Sequence, residues 1–212
     1  MKIDAVAVQM EFAVGHYLNE KAFREKISQV MKDIDGMVGL NENSIVIFPE
    51  DVGTMLVLMG SEKSLLETDK LADAAGRMVR AHLFKVLGTR LKCRAGWAPS
   101  LFLLKSKMMQ RVYVDTFSEV ARDYSTHIIA GSTALPKFRQ VRGEWIPLDG
   151  NVYNTSYTFD PKGQIIGVQR KVHLIDIEKR QLGLKPAELD EISVFKTLWG
   201  KIGVAICYDC FF

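Results

Sequence analysis

Cysteine is scarce: Cys93, Cys207 and Cys210 are the only three in 212 residues. An odd count in a chain of this length excludes a disulfide framework as the source of stability. It fits a reducing compartment, so an intracellular, cytoplasmic protein is expected. Histidine is also sparse, and His16, His82, His127 and His173 are scattered without metal-ligand spacing, which argues against a zinc site. A large bias of charge is missing too. The formal net charge is +3, and with no RNA-binding or zinc-finger signature there is no case for a nucleic-acid partner. No stretch reaches the roughly 18 uninterrupted apolar residues of a membrane span. Asp4 and Gln9 interrupt the N-terminal run where a secretion signal would be unbroken. Internal repeats and low-complexity tracts are absent.

What is present is material for one large core, with 48% hydrophobic and 25% charged residues, and a single domain over 1–212 is expected. Ala5 to Met10 is a short apolar run that predicts a strand buried on both faces. Asn19 can cap a helix in which Phe23, Ile27, Val30, Met31 and Ile34 share one face, with Gly36 and Gly39 punctuating its end. Ser44 to Phe48 is a β-branched run that stops at Pro49 and delivers the Glu50 carboxylate just past the strand. A second helix is predicted across Met109, Val112, Phe117, Val120, Ala121 and Tyr124, then a buried strand from His127 to Gly131. Tyr153 to Phe159 and Ile165 to Arg170 flank Asp160-Pro161-Lys162-Gly163, which has the chemistry of a hairpin turn. Ile192 to Lys196 and Ile202 to Ile206 flank Trp199-Gly200 in the same manner. The pattern predicts an α/β fold with a mixed sheet.

Leu65 to Leu87 reads as one or two helices, and residues 55–107 as an inserted helical segment without a catalytic residue. From Lys85 to Val114 there is no acidic residue, while Lys85, Arg90, Lys92, Arg94, Lys105, Lys107 and Arg111 alternate with leucines, Phe102 and Trp97. A solvated face is expected there and membrane contact is not, with a membrane surface or an acidic partner as the alternative.

Cys207 ends Lys201-Ile202-Gly203-Val204-Ala205-Ile206, a buried-strand pattern that would present its thiol where open α/β sheets bind ligands. A cysteine in an apolar run is otherwise an ordinary core residue, Glu50 alone a solvated loop carboxylate, and Lys171 beside Arg170 a surface pair. Cys207-Tyr208-Asp209-Cys210 also spells C-x-x-C, but zinc would need further ligands. Cys210 is expected as a pocket or core neighbour, with a protective disulfide under oxidation as the alternative.

The block from Phe195 to Gly203, continuing through Ile206-Cys207-Tyr208-Asp209, resembles the cysteine motif of the nitrilase, or carbon-nitrogen hydrolase, superfamily. Ile45 to Glu50 is similar to the strand that carries the family's general base. Tyr153-Asn154-Thr155 through Gly167 to Arg170-Lys171-Val172-His173-Leu174 is similar to the block that carries its lysine after a hairpin. Glu178 stands where a further family glutamate lies, with Glu188 and Glu191 near it. The resemblance covers Lys2 to Met10, Ser44 to Asp51 and most of Met109 to Phe212. It implies a four-layer α-β-β-α sandwich whose C-terminal part, which in the family follows positions like Phe211-Phe212, is expected to be missing from this chain.

By that resemblance, Cys207 is the nucleophile, Glu50 the base, Lys171 the oxyanion stabiliser and Glu178 a fourth catalytic residue. Tyr153, Asn154, His173 and Tyr208 are candidate substrate-binding positions. The implied reaction is hydrolysis of a non-peptide carbon-nitrogen bond in a small amide, N-carbamoyl compound or nitrile through an acyl-enzyme. It needs no cofactor or metal, and a homodimer or larger assembly is implied. Two other readings stay open: a non-catalytic or regulatory subunit that keeps the fold, and an acyl transferase. Low or no activity is expected of the 212-residue form alone, because the shell around the site would be incomplete.

Overall fold

The computed structural model describes residues 2–61, 80, 83–142 and 144–212. Strand β1 (Asp4–Ala7) is followed by α1 (Glu20–Val38). Asn19 caps α1 by accepting the Ala22 amide at 2.9 Å. Gly39 closes the helix in the left-handed region at φ 67°, and its amide donates to the Asp35 carbonyl. Phe23, Ile27, Met31 and Ile34 are buried at the predicted spacing, while Gly36 lies inside the helix rather than beyond it.

β2 (Ser44–Ile47) comes next, then α2 (Leu83–Cys93) and α3 (Trp97–Asp123). Of residues 55–107, read from sequence as an inserted helical segment, the described ones include α2 and the start of α3, while most of the Leu65 to Leu87 stretch lies outside the described residues. α3 begins well before Met109 because Leu101 and Phe102 already belong to its buried face. β3 (His127–Ile129), β4 (Thr133–Leu135), β5 (Phe138–Val141) and β6 (Glu144–Pro147) follow. β7 (Tyr153–Phe159) and β8 (Ile165–Arg170) form the predicted hairpin, and β9 (Val194–Thr197) and β10 (Gly200–Gly203) form a second one.

Six strands make one sheet in the order β1-β2-β3-β7-β4, with β8 on the other edge of β7. β1, β2 and β3 run parallel and the remaining pairs antiparallel, so the sheet is mixed as expected. α1 and α3 cover one face. Val46, Phe48, Ile128, Tyr157 and Phe159 pack there with Phe23, Tyr113 and Phe117. The Phe117 ring meets Phe48 at 4.9 Å and Tyr113 at 5.0 Å in edge-on contacts, and the Tyr113 hydroxyl donates to the Ala130 carbonyl at 2.6 Å.

The other face is only partly covered, and this corrects two expectations. β1 is not buried on both faces: Val6 packs on the helical side, whereas Ala5 and Ala7 are exposed. Among the described residues, the long helices α1 and α3 stand on one side, and the β9-β10 ribbon reaches β3 and β8 on the other. Trp199 lies 4.3 Å from the His127 ring, and Phe195 fills the space beside Gly167, where an added Cβ would meet its ring at 2.2 Å. Nor is Lys201 to Ile206 a buried strand. β10 stops at Gly203, pairs only with β9 among the described residues, and of the run only Ile206 is buried. Of the four layers, the described residues therefore build a helical layer and the six-stranded sheet, with the ribbon lying on the second face.

Candidate active site

Glu50 sits three residues beyond β2, where Pro49 has ended the strand. The turn is held against the end of β3 by Gly131, whose φ is 63°, and an added Cβ there would stand 2.0 Å from the Pro49 carbonyl. Lys171 immediately follows β8. Its amide donates to the Asn154 carbonyl at 2.9 Å and its own carbonyl accepts from Ala187 at 2.9 Å, so its backbone is fixed on both sides. The side chain is 0% exposed. Its ammonium donates to Glu50 Oε1 at 2.7 Å and to Glu178 Oε2 at 2.8 Å.

Asn154 cross-links the same carboxylates. Its Nδ2 donates to Glu50 Oε1 at 2.9 Å and to Glu178 Oε1 at 2.8 Å. Glu178, in a wide helical turn at Ile177–Gln181, is buried and also accepts the Ile175 amide at 2.9 Å. Burial alone would push the Lys171 ammonium down, but its hydrogen bonds to Glu178 and Glu50, and their charges, outweigh that and hold it above the ordinary lysine value. The lysine is an ammonium throughout the neutral range.

Cys207 opens a short 3-10 turn, Cys207–Phe211, with its backbone in the left-handed region at φ 48°. Such a conformation is costly for a residue with a side chain and is kept only where surrounding contacts impose it. Asp209 supplies them. Its carboxylate accepts the His173 amide at 2.7 Å, the Val172 amide at 3.2 Å and, at 3.4 Å, the Ile206 amide. The cysteine turn is thereby tied to the two residues that follow Lys171. Partial burial, then the Glu50 carboxylate as hydrogen-bond acceptor and as charge, push the Cys207 thiol above its ordinary value, while Lys171 pulls the other way. Glu50 and Cys207 share a cavity of about 470 Å³ whose other walls include Ile47, Phe48, Ile129 and Ser156.

The residues singled out from sequence divide clearly. Glu50, Lys171, Glu178 and Asn154 form one hydrogen-bonded cluster with Cys207 beside it. Glu191 is instead paired with Lys137 at 2.5 Å and Arg170 at 3.5 Å, and Glu188 is exposed, so only Glu178 among the three nearby glutamates reaches Lys171. Tyr153 does not join the site. It alternates with Asn154 along β7, and its hydroxyl donates to Asp149 at 3.1 Å. His173 stacks on Phe212 at 4.0 Å, contacts Asp209 through Nδ1 at 3.1 Å, and lines a separate small cavity. Tyr208 is exposed and touches the Phe211 and Phe212 rings. Cys210 is exposed rather than a core or pocket neighbour, because the turn that carries it stands at the surface. Among the described residues no group of three or more His, Cys, Asp or Glu has the arrangement of a metal site.

Two contributors escaped the sequence reading. Asp209 had a signal in its place two residues after Cys207, but its tie to Val172 and His173 spans more than thirty residues. Asp51, next to Glu50, stands at φ 64° and accepts the Thr54 hydroxyl at 2.7 Å. Burial, and the neighbouring charges of Glu50 and Glu178, push its carboxyl up against the opposing Thr54 bond and Lys171 charge.

A mixed sheet thus sets Cys207 beside a glutamate-lysine-glutamate cluster in one candidate site. Residues 34–212 match the carbon-nitrogen hydrolase family, and the chain belongs to it. A hydrolase of Schizosaccharomyces pombe is 35% identical over 99 residues, covering 43% of this chain and 27% of the relative. The omega-amidase NIT2 of Mus musculus is 35% identical over 101 residues, covering 43% of this chain and 31% of the relative. The carbon-nitrogen hydrolase structure from Helicobacter pylori G27 shares the fold, with a TM-score of 0.57 at 16% identity over 99% of this chain and 53% of that one. The chain thus spans about half the length of that structure, and the stretches it shares with these two curated relatives are less than a third of their length.

Proposed function

We propose that the chain carries the catalytic centre of a hydrolase acting on the carbon-nitrogen bond of a small-molecule amide, with Cys207 as covalent nucleophile. The observation that carries this reading is the fully buried Lys171 ammonium bridging Glu178 to Glu50, the carboxylate that lines one cavity with Cys207. An amide, rather than an N-carbamoyl compound or nitrile, is favoured by the similarity to omega-amidases.

In this mechanism Glu50 takes the thiol proton as sulfur attacks the carbonyl carbon. The raised thiol keeps its proton at rest, so the nucleophile forms only when a substrate is in place. Lys171 has three N–H donors; Glu50 and Glu178 use two. The third serves the developing oxyanion, and removing such a donor from a dry site costs several kcal/mol of transition-state stabilisation. Glu50 passes the proton to the departing nitrogen, and ammonia or an amine leaves. Glu50 then activates the water that cleaves the thioester to a carboxylic acid. Glu178 and Asn154 hold the lysine and Glu50 in place.

The test is intact-mass analysis after brief incubation with small amides, N-carbamoyl compounds and nitriles, comparing the wild type with Cys207→Ala. A substrate-dependent adduct on Cys207 with release of ammonia supports hydrolysis. Products that incorporate an added amine assign acyl transfer instead. No adduct from any substrate assigns a non-catalytic subunit.

A further inference from the structure

α2 turns apolar side chains outward. Val86 is buried in the core, whereas Phe84 is 88% and Leu91 73% exposed, and Leu83 and Leu87 are exposed beside them. At the helical repeat these four fall within about a third of the circumference, so they form one continuous stripe. Lys85 and Lys92 are exposed on the same helix, and Lys107 is exposed on α3. These three lysines line the groove that also contains Phe84, with Asp149 as the one carboxylate in its wall.

We propose that this face of α2 docks on an anionic membrane surface. The apolar stripe and the cations set different demands, and an anionic bilayer meets both at once. Phenylalanine and leucine enter the boundary of the acyl chains, while the lysine stems lie along the surface and present their ammonium groups to lipid phosphates and carboxylates. A second copy of this chain placed on the stripe would bring the same lysines against one another. An acidic peptide would satisfy the cations and leave the exposed phenylalanine and leucines in water. The absence of any acidic residue from Lys85 to Val114 extends the complementary field past the helix itself. No helix among the described residues is long and apolar enough to cross a membrane, so the contact is peripheral.

The experiment is cosedimentation of the whole chain with vesicles of phosphatidylcholine alone and of phosphatidylcholine with about one-third phosphatidylserine. Binding is expected to the mixed vesicles only, and to fall as salt rises. Lys85→Gln with Lys92→Gln should weaken it about 25-fold, at roughly fivefold per lysine. Phe84→Ser with Leu91→Ser should also abolish sedimentation while leaving the circular dichroism spectrum unchanged, since both side chains face solvent. Equal binding to neutral vesicles, no binding to either, or binding indifferent to the serine pair overturns the proposal. So does a dimer in solution that dissociates with the serine pair, which gives the face to a second copy.

Discussion

Removing the Lys171 ammonium should cost more stability than any surface substitution in this chain. Lys171→Met keeps most of the side-chain volume but leaves Glu178, whose side chain is 5% exposed, and Glu50, 24% exposed, without their shared cation. Breaking one partner out of a buried ion pair costs about 3–5 kcal/mol, because an uncompensated charge stays behind. Set against a total of about 5–15 kcal/mol for a domain, that is a large fraction. With a urea dependence of about 2 kcal/mol per molar, the midpoint of urea unfolding should fall by roughly 1.5–2.5 M. Adding Glu178→Gln removes the stranded charge while keeping an acceptor for Asn154, so the double variant should regain stability over the single one. A loss below about 1 kcal/mol in Lys171→Met, or a double variant less stable than the single, would refute the electrostatic account of the cluster.

Burial and then Glu50 hold the Cys207 thiol up, so Glu50→Gln, which removes the charge and leaves the burial, increases thiolate at neutral pH. Faster iodoacetamide labelling of Cys207, read by peptide mass, is therefore expected, while turnover is lost. Slower labelling in the variant would contradict this. Gly131→Ala forces a side chain onto a φ of 63° and against the Pro49 carbonyl. A lower thermal midpoint together with reduced turnover is expected, because the displaced turn carries Glu50. Lys105 donates to the Met59 carbonyl at 2.7 Å and is pushed down to about 8 by burial. Its folded value lies below its unfolded one, so the folded state binds fewer protons between about pH 8 and 10.5, and this lysine makes stability rise with pH across that window. Unfolding curves taken across it should flatten in Lys105→Met, and an unchanged slope would show that burial does not govern this group.

The parts of the fold fixed by neighbouring residues were legible in the sequence. The Asp160-Pro161-Lys162-Gly163 turn sets the β7-β8 hairpin by itself: Asp160 Oδ1 accepts the amides of Lys162 and Gln164 at 2.9 and 2.8 Å, and Gly163 takes φ 74°. Asn19 and the apolar spacing behind it sufficed for α1. Burial was less legible, because it depends on what lies across from a strand. Lys201 to Ile206 has the composition of a buried strand, yet among the described residues β10 has a single neighbour. Ala5 and Ala7 look like core residues and are exposed because they stand on the sheet face that the described residues only partly cover. Within the site, the resemblance supplied Glu50, Lys171, Cys207 and Glu178, but it could not tell Tyr153 from Asn154. Strand alternation separates them and sends one side chain to Asp149 and the other to the two glutamates.

The cluster also explains why the thiol need not be acidic at rest. Two carboxylates around one ammonium leave net negative charge beside Cys207, and Asp51 adjoins them. That environment disfavours a free thiolate, in contrast to sites that depress a cysteine with nearby cations. The same arrangement suits a nucleophile generated on demand. In the proposed mechanism, proton transfer from sulfur to Glu50 exchanges one negative charge for another a short distance away, so the local balance is almost unchanged, while the ammonium stays paired to Glu178. On that proposal, when negative charge moves from sulfur to the substrate oxygen, Lys171 is already oriented by two fixed acceptors and needs no reorganisation to meet it. On this proposal Glu178 acts through the lysine it holds and not through contact with substrate. Glu178→Gln should consequently lower kcat more than it raises KM, and a variant whose only defect is a raised KM would place Glu178 in the substrate pocket instead.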